Sequence, residues 1–260
     1  MTAVIRSRDN PRVRRWAKLA TDARFRRSEG RVLIEGPHLV AEALQAQLEP
    51  VALIVSESGL KKAEVRKLVG QREPVVLGDH VFGIVADAET PPGIAAEIAV
   101  PKVLEKPDAP AVFLEGVQDP ANVSAILRSA AAFGVGEVVV DRACADPWSS
   151  KVLRAAMGAH FAVNIVEGAD LGGFAGKYKG TVIALIGRGS TSLYDLDLRG
   201  PCAFVVGNEG AGISADLAAS AKVRASIPTT RRVESLNAGI AGSVALFECM
   251  RQRGAGKGTK

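Results

Sequence analysis

The chain has 260 residues, of which 47% are hydrophobic, so it is longer than one typical domain and can bury a sizeable core. Its three cysteines are too few and too widely spaced for a disulfide scaffold or a paired zinc site. No apolar run reaches the roughly 18 residues of a membrane helix, and the N-terminus lacks the apolar segment of a signal peptide. We therefore expect a cytoplasmic protein of two domains, with no membrane segment and no bound metal.

The net charge of +5 is concentrated at the N-terminus. Residues 1–31 carry ten Lys or Arg against three acidic residues, a net charge of +7, whereas the rest of the chain comes to −2. Nine of these ten cations are arginines, whose planar donor groups suit phosphate. The concentration predicts contact with a polyanion. The alternative is an amphipathic helix that docks Trp16 and Leu19 on the core and turns its arginines to water.

Short β-branched runs alternate with helical patterns in the first hundred residues. We predict strands at 32–34, 51–55, 75–77 and 95–100, with helices at 38–47 and 60–69. This alternation is typical of an α/β domain. Three prolines and mixed charges indicate an extended linker next. The sequence thus predicts a first domain over residues 1–100 and a linker over 101–110.

Six apolar strands, separated by helices or long loops, follow the linker. We predict them at 112–114, 137–140, 163–166, 181–186, 203–206 and 223–227. Continuous apolar strands with helical crossovers indicate a largely parallel sheet with helices on both faces. This second α/β domain is expected to span 111–253, followed by a flexible basic tail over 254–260.

Three strand-to-helix junctions of the second domain carry unusual polar groups. The first, 119–122, opens a helix containing Arg128, whose small apolar neighbours predict a partly desolvated guanidinium, met by a ligand or by a salt bridge. The second, 207–212, is glycine-rich but lacks a P-loop ending, and its glutamate suits a neutral or cationic ligand. At the third, Ser235 and Asn237 can cap the last helix or receive a ligand. Ligands bind at the carboxyl ends of parallel strands, so we expect one shared pocket.

Together the three junctions resemble the SpoU or TrmH family of RNA ribose 2′-O-methyltransferases, within the knotted SPOUT class. The matching residues lie in the family order within 111–250: Asp119-Pro120-Ala121-Asn122 with Ile126-Leu127-Arg128, then Val206-Gly207-Asn208-Glu209-Gly210-Ala211-Gly212-Ile213, then Ile227-Pro228 and Glu234-Ser235-Leu236-Asn237. The first domain resembles the substrate-binding domain often attached to this family, at Ser7-Arg8-Asp9-Asn10-Pro11 and Glu35-Gly36-Pro37. One departure is Ala238-Gly239, where a valine-serine pair is common; it affects packing beside the site.

The resemblance implies a deep trefoil knot, a homodimer, and S-adenosyl-L-methionine held through Gly207, Ile227 and Leu236. It also implies a set of catalytic residues, namely Arg128, Asn122, Glu209, Ser235 and Asn237. The candidate RNA contacts are the arginines of the basic N-terminus and of the third junction: Arg8, Arg12, Arg14, Arg15, Arg231 and Arg232. Small residues along the last helix, at 238, 241, 242 and 245, fit either a dimer or intramolecular packing.

The reaction implied is attack of a ribose 2′-hydroxyl on a sulfonium methyl group, so the protein must position the groups and remove one proton. Because a guanidinium stays protonated at neutral pH, we expect Arg128 to bind the target phosphate and stabilise the developing oxyanion. The substrate-binding domain favours ribosomal RNA. Transfer RNA, or a non-catalytic assembly or protection factor of the same fold, remain alternatives. An NAD-dependent enzyme is disfavoured because the dinucleotide fingerprint is absent.

Overall fold

The computed structural model describes residues 3–86, 90–104, 108–187, 191–230, 232 and 235–254. The chain divides into two compact units. Unit 1 combines Met1–Lys102 with Trp148–Phe161, and unit 2 combines Val103–Pro147 with Ala162–Lys260. The division after Lys102 falls within the segment interpreted as a linker. The return of Trp148–Phe161 to unit 1 was not predicted from the sequence, which indicated that this segment belongs to the second domain.

Helices and strands alternate along most of the described chain. The helices are α1 Pro11–Thr21, α2 Ala23–Glu29, α3 Pro37–Gln45, α4 Ala63–Val69, α5 Asp79–Val85, α6 Pro120–Ala132, α7 Ser150–Ala156, α8 Leu171–Lys177, α9 Ala215–Ser220 and α10 Ala238–Arg253. The strands are β1 Arg31–Glu35, β2 Ala52–Ser56, β3 Val75–Leu77, β4 Ile94–Ala99, β5 Ala111–Leu114, β6 Glu137–Val140, β7 Asn164–Val166, β8 Thr181–Leu185, β9 Thr191–Ser192, β10 Cys202–Val206 and β11 Val223–Ser226. None of the described helices has the length and apolarity that crossing a membrane requires.

Unit 1 is built on a four-stranded mixed sheet in the order β1-β4-β2-β3. Strand β4 is antiparallel to both β1 and β2, while β2 and β3 are parallel. Helix α1 covers this sheet because its apolar residues recur on one face, with Trp16 only 2% exposed. The Trp16 indole N–H donates to the buried Glu97 carboxylate at 2.8 Å, and Asn10 caps the helix by accepting from Arg12 N at 2.9 Å. The amphipathic interpretation is confirmed for α1, but not every arginine of the basic N-terminus faces water, because Arg26 is 4% exposed and donates to the Leu19 carbonyl at 2.6 Å.

Helix α7 joins unit 1 through both apolar and polar contacts. Its Val152 and Leu153 are buried, and the Ser150 hydroxyl donates to the Ala20 carbonyl at 3.3 Å. The Arg154 guanidinium lies 3.8 Å from the buried carboxylate of Glu35 on β1. These partners are more than a hundred residues away in sequence, so local pattern alone could not assign the segment to its unit.

Unit 2 contains a seven-stranded sheet in the order β7-β6-β5-β10-β8-β11-β9. Every pairing within it is parallel, which confirms the predicted sheet. Strands β5 and β10 are neighbours although most of the unit lies between them in sequence, and Glu115 N donates to Val206 O at 2.9 Å where they end. The junctions after these two strands therefore lie side by side.

Helices α6 and α10 of unit 2 approach closely because small residues separate them. A Cβ added at Gly242 would lie 3.0 Å from the Ile126 side chain, and the Ser129 hydroxyl donates to Ser243 Oγ at 2.7 Å. The small residues Ala238, Gly242 and Ala245 are buried. These small residues pack within the unit. Of the two interpretations of this face, a dimer contact or intramolecular packing, the second describes them.

Candidate functional site

The three polar junctions lie along one edge of the parallel sheet of unit 2. They follow β5, β10 and β11, and the carboxyl ends of parallel strands share one edge of a sheet. A cavity of about 270 Å³ opens there, lined by 185–187, 206–212, Ile227, Thr229, Ser235, Leu236, Ala238 and Ala241. This volume is close to the lower end of ligand pockets, roughly 300 Å³. Gly207, Ile227 and Leu236, interpreted as cofactor contacts, all line the cavity.

The glycine-rich loop after β10 folds back on itself to form one wall of the cavity. Asn208 and Gly212 exchange backbone hydrogen bonds of 3.0 and 2.9 Å, and Asn208 Oδ1 accepts from Gly210 N and Ala211 N, both at 2.9 Å. A Cβ at Gly207 would collide with the Gly212 carbonyl and lie 2.5 Å from Ile213 N. Residue 207 must therefore be glycine for the loop to close.

Glu209 ties this loop to the start of α6. Its carboxylate accepts from Gln118 N at 3.3 Å, from Asp119 N at 3.2 Å and from the Asn122 side-chain amide at 2.8 Å. Partial burial pushes the pKa of Glu209 upward, but the hydrogen bonds from Asn122 and from backbone N–H groups outweigh burial and lower the pKa below its usual value. The carboxylate therefore stays charged, and its geometry is that of a clamp on the N-terminus of α6.

Two asparagine side chains flank Gly239 at the start of α10. Asn122 is 4% exposed, and Asn237 Oδ1 caps α10 by accepting from Ile240 N at 3.1 Å. A Cβ at Gly239 would lie 3.0 Å from Asn122 Oδ1 and 3.2 Å from Asn237 Oδ1. The glycine that departs from the family pattern thus lets α10 approach α6, and the capping role of Asn237 is confirmed.

Arg128 lies on the exposed side of α6. The sequence predicted that small apolar neighbours partly desolvate Arg128. This prediction is wrong, because successive helix residues are about 100° apart and the buried face of α6 therefore lies opposite Arg128. That buried face contains Val123, Ile126, Leu127 and Ala130. Arg128 is accordingly exposed to solvent, whereas the sequence predicted a partly desolvated guanidinium.

The predicted RNA-contacting arginines differ in what already engages them. Arg15 is bound by the buried Glu97 at 2.6 Å and by Glu29 at 2.9 Å, and the hydrogen bonds to Glu97 first and Glu29 second raise the pKa of its guanidinium. Arg14 pairs with Asp9 at 2.6 Å. By contrast Arg8 is exposed, as is Arg12, which lies over the Trp16 ring at 5.0 Å. In the third junction Arg232 is exposed, whereas Arg231 lies outside the described residues.

A second basic surface, around α4, was not predicted from the sequence. It consists of the exposed residues Lys61, Lys62, Arg66 and Lys67. Lys62 Nζ donates to Pro92 O at 3.2 Å and Arg66 donates to Lys61 O at 2.6 Å, so two of the side chains are anchored by carbonyls. None of the four pairs with a carboxylate of the described residues. The sequence did contain a signal for this surface, because residues 61–67 hold four cations and a single acidic residue, Glu64. The net charge of −2 calculated for all residues beyond 31 concealed this local excess.

No group of three or more His, Cys, Asp or Glu in the described part of the chain is arranged to hold a metal ion. The polar groups at the sheet edge are instead amides, hydroxyls, one carboxylate and the backbone of a glycine-rich turn. Such groups bind an organic ligand by hydrogen bonds and shape.

Two family models match the chain, and between them they cover most of it. The model described as the SpoU rRNA Methylase family matches residues 109–247, and the model described as the MRM3-like substrate binding domain matches residues 10–96. The first therefore includes all three junctions and the cavity, and the second includes helix α1 and the basic surface around α4.

Similar proteins match over nearly their whole length. The 23S rRNA (guanosine(2553)-2′-O)-methyltransferase RlmP of Bacillus subtilis (strain 168) is 28% identical, over 94% of this chain and 97% of that protein. The 23S rRNA (guanosine-2′-O-)-methyltransferase RlmB of Xylella fastidiosa (strain 9a5c) is 31% identical, over 85% of this chain and 96% of that protein. The crystal structure of an AdoMet-bound rRNA methyltransferase from Sinorhizobium meliloti has a TM-score of 0.80 at 27% identity, covering 96% of this chain and 98% of that one. Because the SpoU model spans more than half of the chain and encloses the site, this chain belongs to the SpoU rRNA methylase family.

Proposed function

We propose that the protein transfers a methyl group from S-adenosyl-L-methionine to a ribose 2′-hydroxyl of structured RNA, with ribosomal RNA as the favoured substrate. The observation that carries the proposal is the cavity at the carboxyl edge of the sheet, where Gly207, Ile227 and Leu236 meet Glu209 and Ser235. Relatives named as 23S rRNA 2′-O-methyltransferases and an AdoMet-bound structural neighbour support it. Two bacterial relatives are named as methyltransferases of 23S rRNA, and this supports the cytoplasm as the location of the protein.

The residues present fit this cofactor. Three of the residues that line the cavity, Gly207, Gly210 and Gly212, have no side chain, so an adenosine group can approach the backbone donors and acceptors of this loop. The charged carboxylate of Glu209 borders the same cavity, which favours a cationic ligand such as a sulfonium. Gly207, Ile227 and Leu236 would hold the cofactor, which supplies an activated methyl group when bound.

The protein's own contribution is positioning and charge stabilisation. Glu209 fixes the N-terminus of α6, and by holding the helix in place it also sets the position of Arg128 relative to the glycine-rich loop. The exposed guanidinium of Arg128 would bind the target phosphate and stabilise the oxyanion that develops on the ribose. Asn122, Ser235 and Asn237 would orient the ribose. The trefoil knot implied by the family stays a prediction.

Isothermal calorimetry with S-adenosyl-L-methionine and mapping of ribose methylation test this function. We expect binding, and we expect one ribosomal-RNA nucleotide to lose its 2′-O-methyl group in cells that lack the gene and regain it on complementation. Loss of a transfer-RNA methyl group instead would favour the transfer-RNA alternative. Absence of cofactor binding, with RNA binding retained, would favour a non-catalytic protection or assembly factor.

A second copy of the chain is the partner we propose for unit 2. An apolar groove of about 290 Å³ on α6 and α10 includes Phe133, Ile240 and Phe247. Ile240 is 54% exposed and Phe247 is 47% exposed, which is unusual for large apolar side chains on one helix. The groove also includes the capping residue Asn237, so a partner bound there would lie beside the candidate site.

Replacing both Ile240 and Phe247 with glutamate should convert the protein to a monomer. Burial of each side chain in an interface contributes about 1.5–3 kcal/mol, so the dimer dissociation constant should rise by at least about 100-fold. Light scattering coupled to size exclusion measures the mass. Tyr194→Glu is the matched control, because Tyr194 is 63% exposed in the same unit but outside the groove, and it should leave the mass unchanged. A wild-type protein that runs as a monomer at micromolar concentration would contradict the proposal.

The basic surface around α4 should contribute phosphate contacts to RNA binding. Lys61→Gln combined with Lys67→Gln should weaken RNA binding and reduce the dependence of log Kd on log salt by about 1 for each phosphate that the variant no longer binds. Fluorescence anisotropy across a salt series measures both. Arg72→Gln is the control, because Arg72 already pairs with Glu49 at 3.2 Å. An unchanged salt dependence in the double variant would exclude this surface from RNA contact.

A further inference from the structure

Asp141, at the carboxyl end of β6, holds the neighbouring loop after β5. Both oxygens of its half-buried carboxylate accept from Gly116 N at 3.1 Å. Its Oδ1 also accepts from Ala143 N at 3.0 Å and Cys144 N at 2.9 Å, which folds the Asp141 loop around the carboxylate. Asp141 therefore fixes Gly116 from one side through charge-assisted hydrogen bonds.

Gly116 is fixed from its other side by the glycine-rich loop. Its carbonyl oxygen accepts from Asn208 Nδ2 at 2.7 Å, and its φ of +62° is a conformation that favours glycine. Asn208 in turn uses Oδ1 to accept from Gly210 N and Ala211 N. A continuous path of hydrogen bonds thus leads from Asp141 through Gly116 and Asn208 to the turn that lines the cavity.

We propose that Asp141 is a positioning residue for the cofactor loop. By fixing Gly116, Asp141 sets where the Gly116 carbonyl points, and that carbonyl orients the amide of Asn208. The oriented amide then presents its oxygen to the N–H groups of Gly210 and Ala211, so the cavity wall is formed before the cofactor arrives. Preorganisation of this kind tightens binding because less ordering remains to be done on association. The inference rests on the proposed function for the identity of the ligand, but the hydrogen-bond path exists without it.

Glu115 offers a matched comparison within the same pair of loops. Its carboxylate accepts from Ser214 N at 2.7 Å and from the Ser214 hydroxyl at 2.6 Å, so it also joins the β5 junction to the β10 junction. Among the described residues, however, Ser214 is not part of the cavity wall; it caps α9. Removing Glu115 should therefore loosen the junction without altering the cavity wall.

The first test measures cofactor affinity by calorimetry with S-adenosyl-L-methionine. Asp141→Ala should raise Kd by about 10- to 100-fold, the size expected for losing charged hydrogen bonds. Asp141→Asn keeps one acceptor oxygen and should raise Kd by only about threefold, as a partial rescue. Asn208→Ala should match Asp141→Ala, and the double variant should be no weaker than Asn208→Ala because the two residues act in series. Glu115→Ala should bind as the wild type does, even at a lower Tm.

The second test needs no cofactor, so it is separate from the proposed function. Amide hydrogen exchange, followed by NMR in the ligand-free protein, should accelerate at Gly210 and Ala211 in Asp141→Ala and in Asp141→Asn but not in Glu115→Ala. Unchanged exchange and unchanged Kd in folded Asp141 variants would overturn the inference, as would an equal effect of Glu115→Ala. If Asp141→Ala does not fold, the test rests on Asp141→Asn. The inference would then be overturned if the exchange rates and the Kd of Asp141→Asn equal those of the wild type. If the wild type binds no cofactor, the proposed function is wrong. The role of Asp141 is then tested by amide hydrogen exchange at Gly210 and Ala211 alone.

Discussion

Replacing Arg128 with alanine is expected to lower the single-turnover rate of RNA methylation by about 100- to 1,000-fold, the effect of removing one donor to a developing oxyanion. Cofactor affinity should stay within about threefold, because Arg128 lies on the exposed side of α6 and is not part of the described cavity wall. Stability should change little, since the buried face of α6 is on the other side. Rapid-quench methylation with radiolabelled cofactor measures the rate, and calorimetry measures the affinity.

Arg128→Lys separates charge from geometry. Lysine keeps the positive charge but lacks the planar donor fork, so an intermediate rate is expected if bidentate phosphate binding matters. Arg224→Ala is the matched control, because Arg224 is also exposed in unit 2 but lies on β11. Its rate should equal that of the wild type. A folded Arg128→Ala protein with a near-normal single-turnover rate would remove Arg128 from the chemistry.

The position of the site could be predicted from sequence because it follows from strand pattern. Gly207 comes directly after the apolar strand β10, and Ile227 comes directly after β11. The ends of parallel strands lie at one edge whatever the order of the strands, so a pocket at this edge could be expected without knowing that β10 lies beside β5. The expectation that all three junctions share it is met only in part, because residues of the second and third junctions line the cavity and residues 119–122 do not. The exposure of Arg128 could also have been derived, since a helical projection of α6 suffices for it.

The connections between the junctions could not be predicted in the same way. Glu209 and Asn122 are 87 residues apart, and their hydrogen bond exists only because β5 and β10 pair across that separation. The path from Asp141 to Asn208 depends on the same pairing. Nor does any local signal assign Trp148–Phe161 to unit 1, because its buried face is complementary to residues far away in sequence. Local pattern predicts elements, whereas non-local pairing determines which polar groups meet.

The largest loss of cofactor binding is expected from Gly207→Ala. The added methyl group would collide with the Gly212 carbonyl and lie 2.5 Å from Ile213 N, and all of these contacts are to backbone. A flexible side chain could move aside, but this backbone closes the turn through the paired hydrogen bonds of Asn208 and Gly212. The turn must therefore open. Overpacking of this kind costs about 1–3 kcal/mol, which lowers Tm by roughly 2–10 °C in a chain of this length.

Gly210→Ala is the control that makes this result specific. The same methyl group at Gly210 would lie 3.6 Å from Asn208 Oδ1, an ordinary contact, in the same loop and beside the same cavity. Calorimetry should therefore show a Kd raised more than about 100-fold in Gly207→Ala and by less than about threefold in Gly210→Ala, with differential scanning calorimetry reporting Tm for both. Equal affinities in the two variants would mean that closure of the turn does not form the cofactor site. A loss confined to Gly207→Ala would tie cofactor binding to the one glycine of this loop whose backbone neighbours leave no room for a side chain.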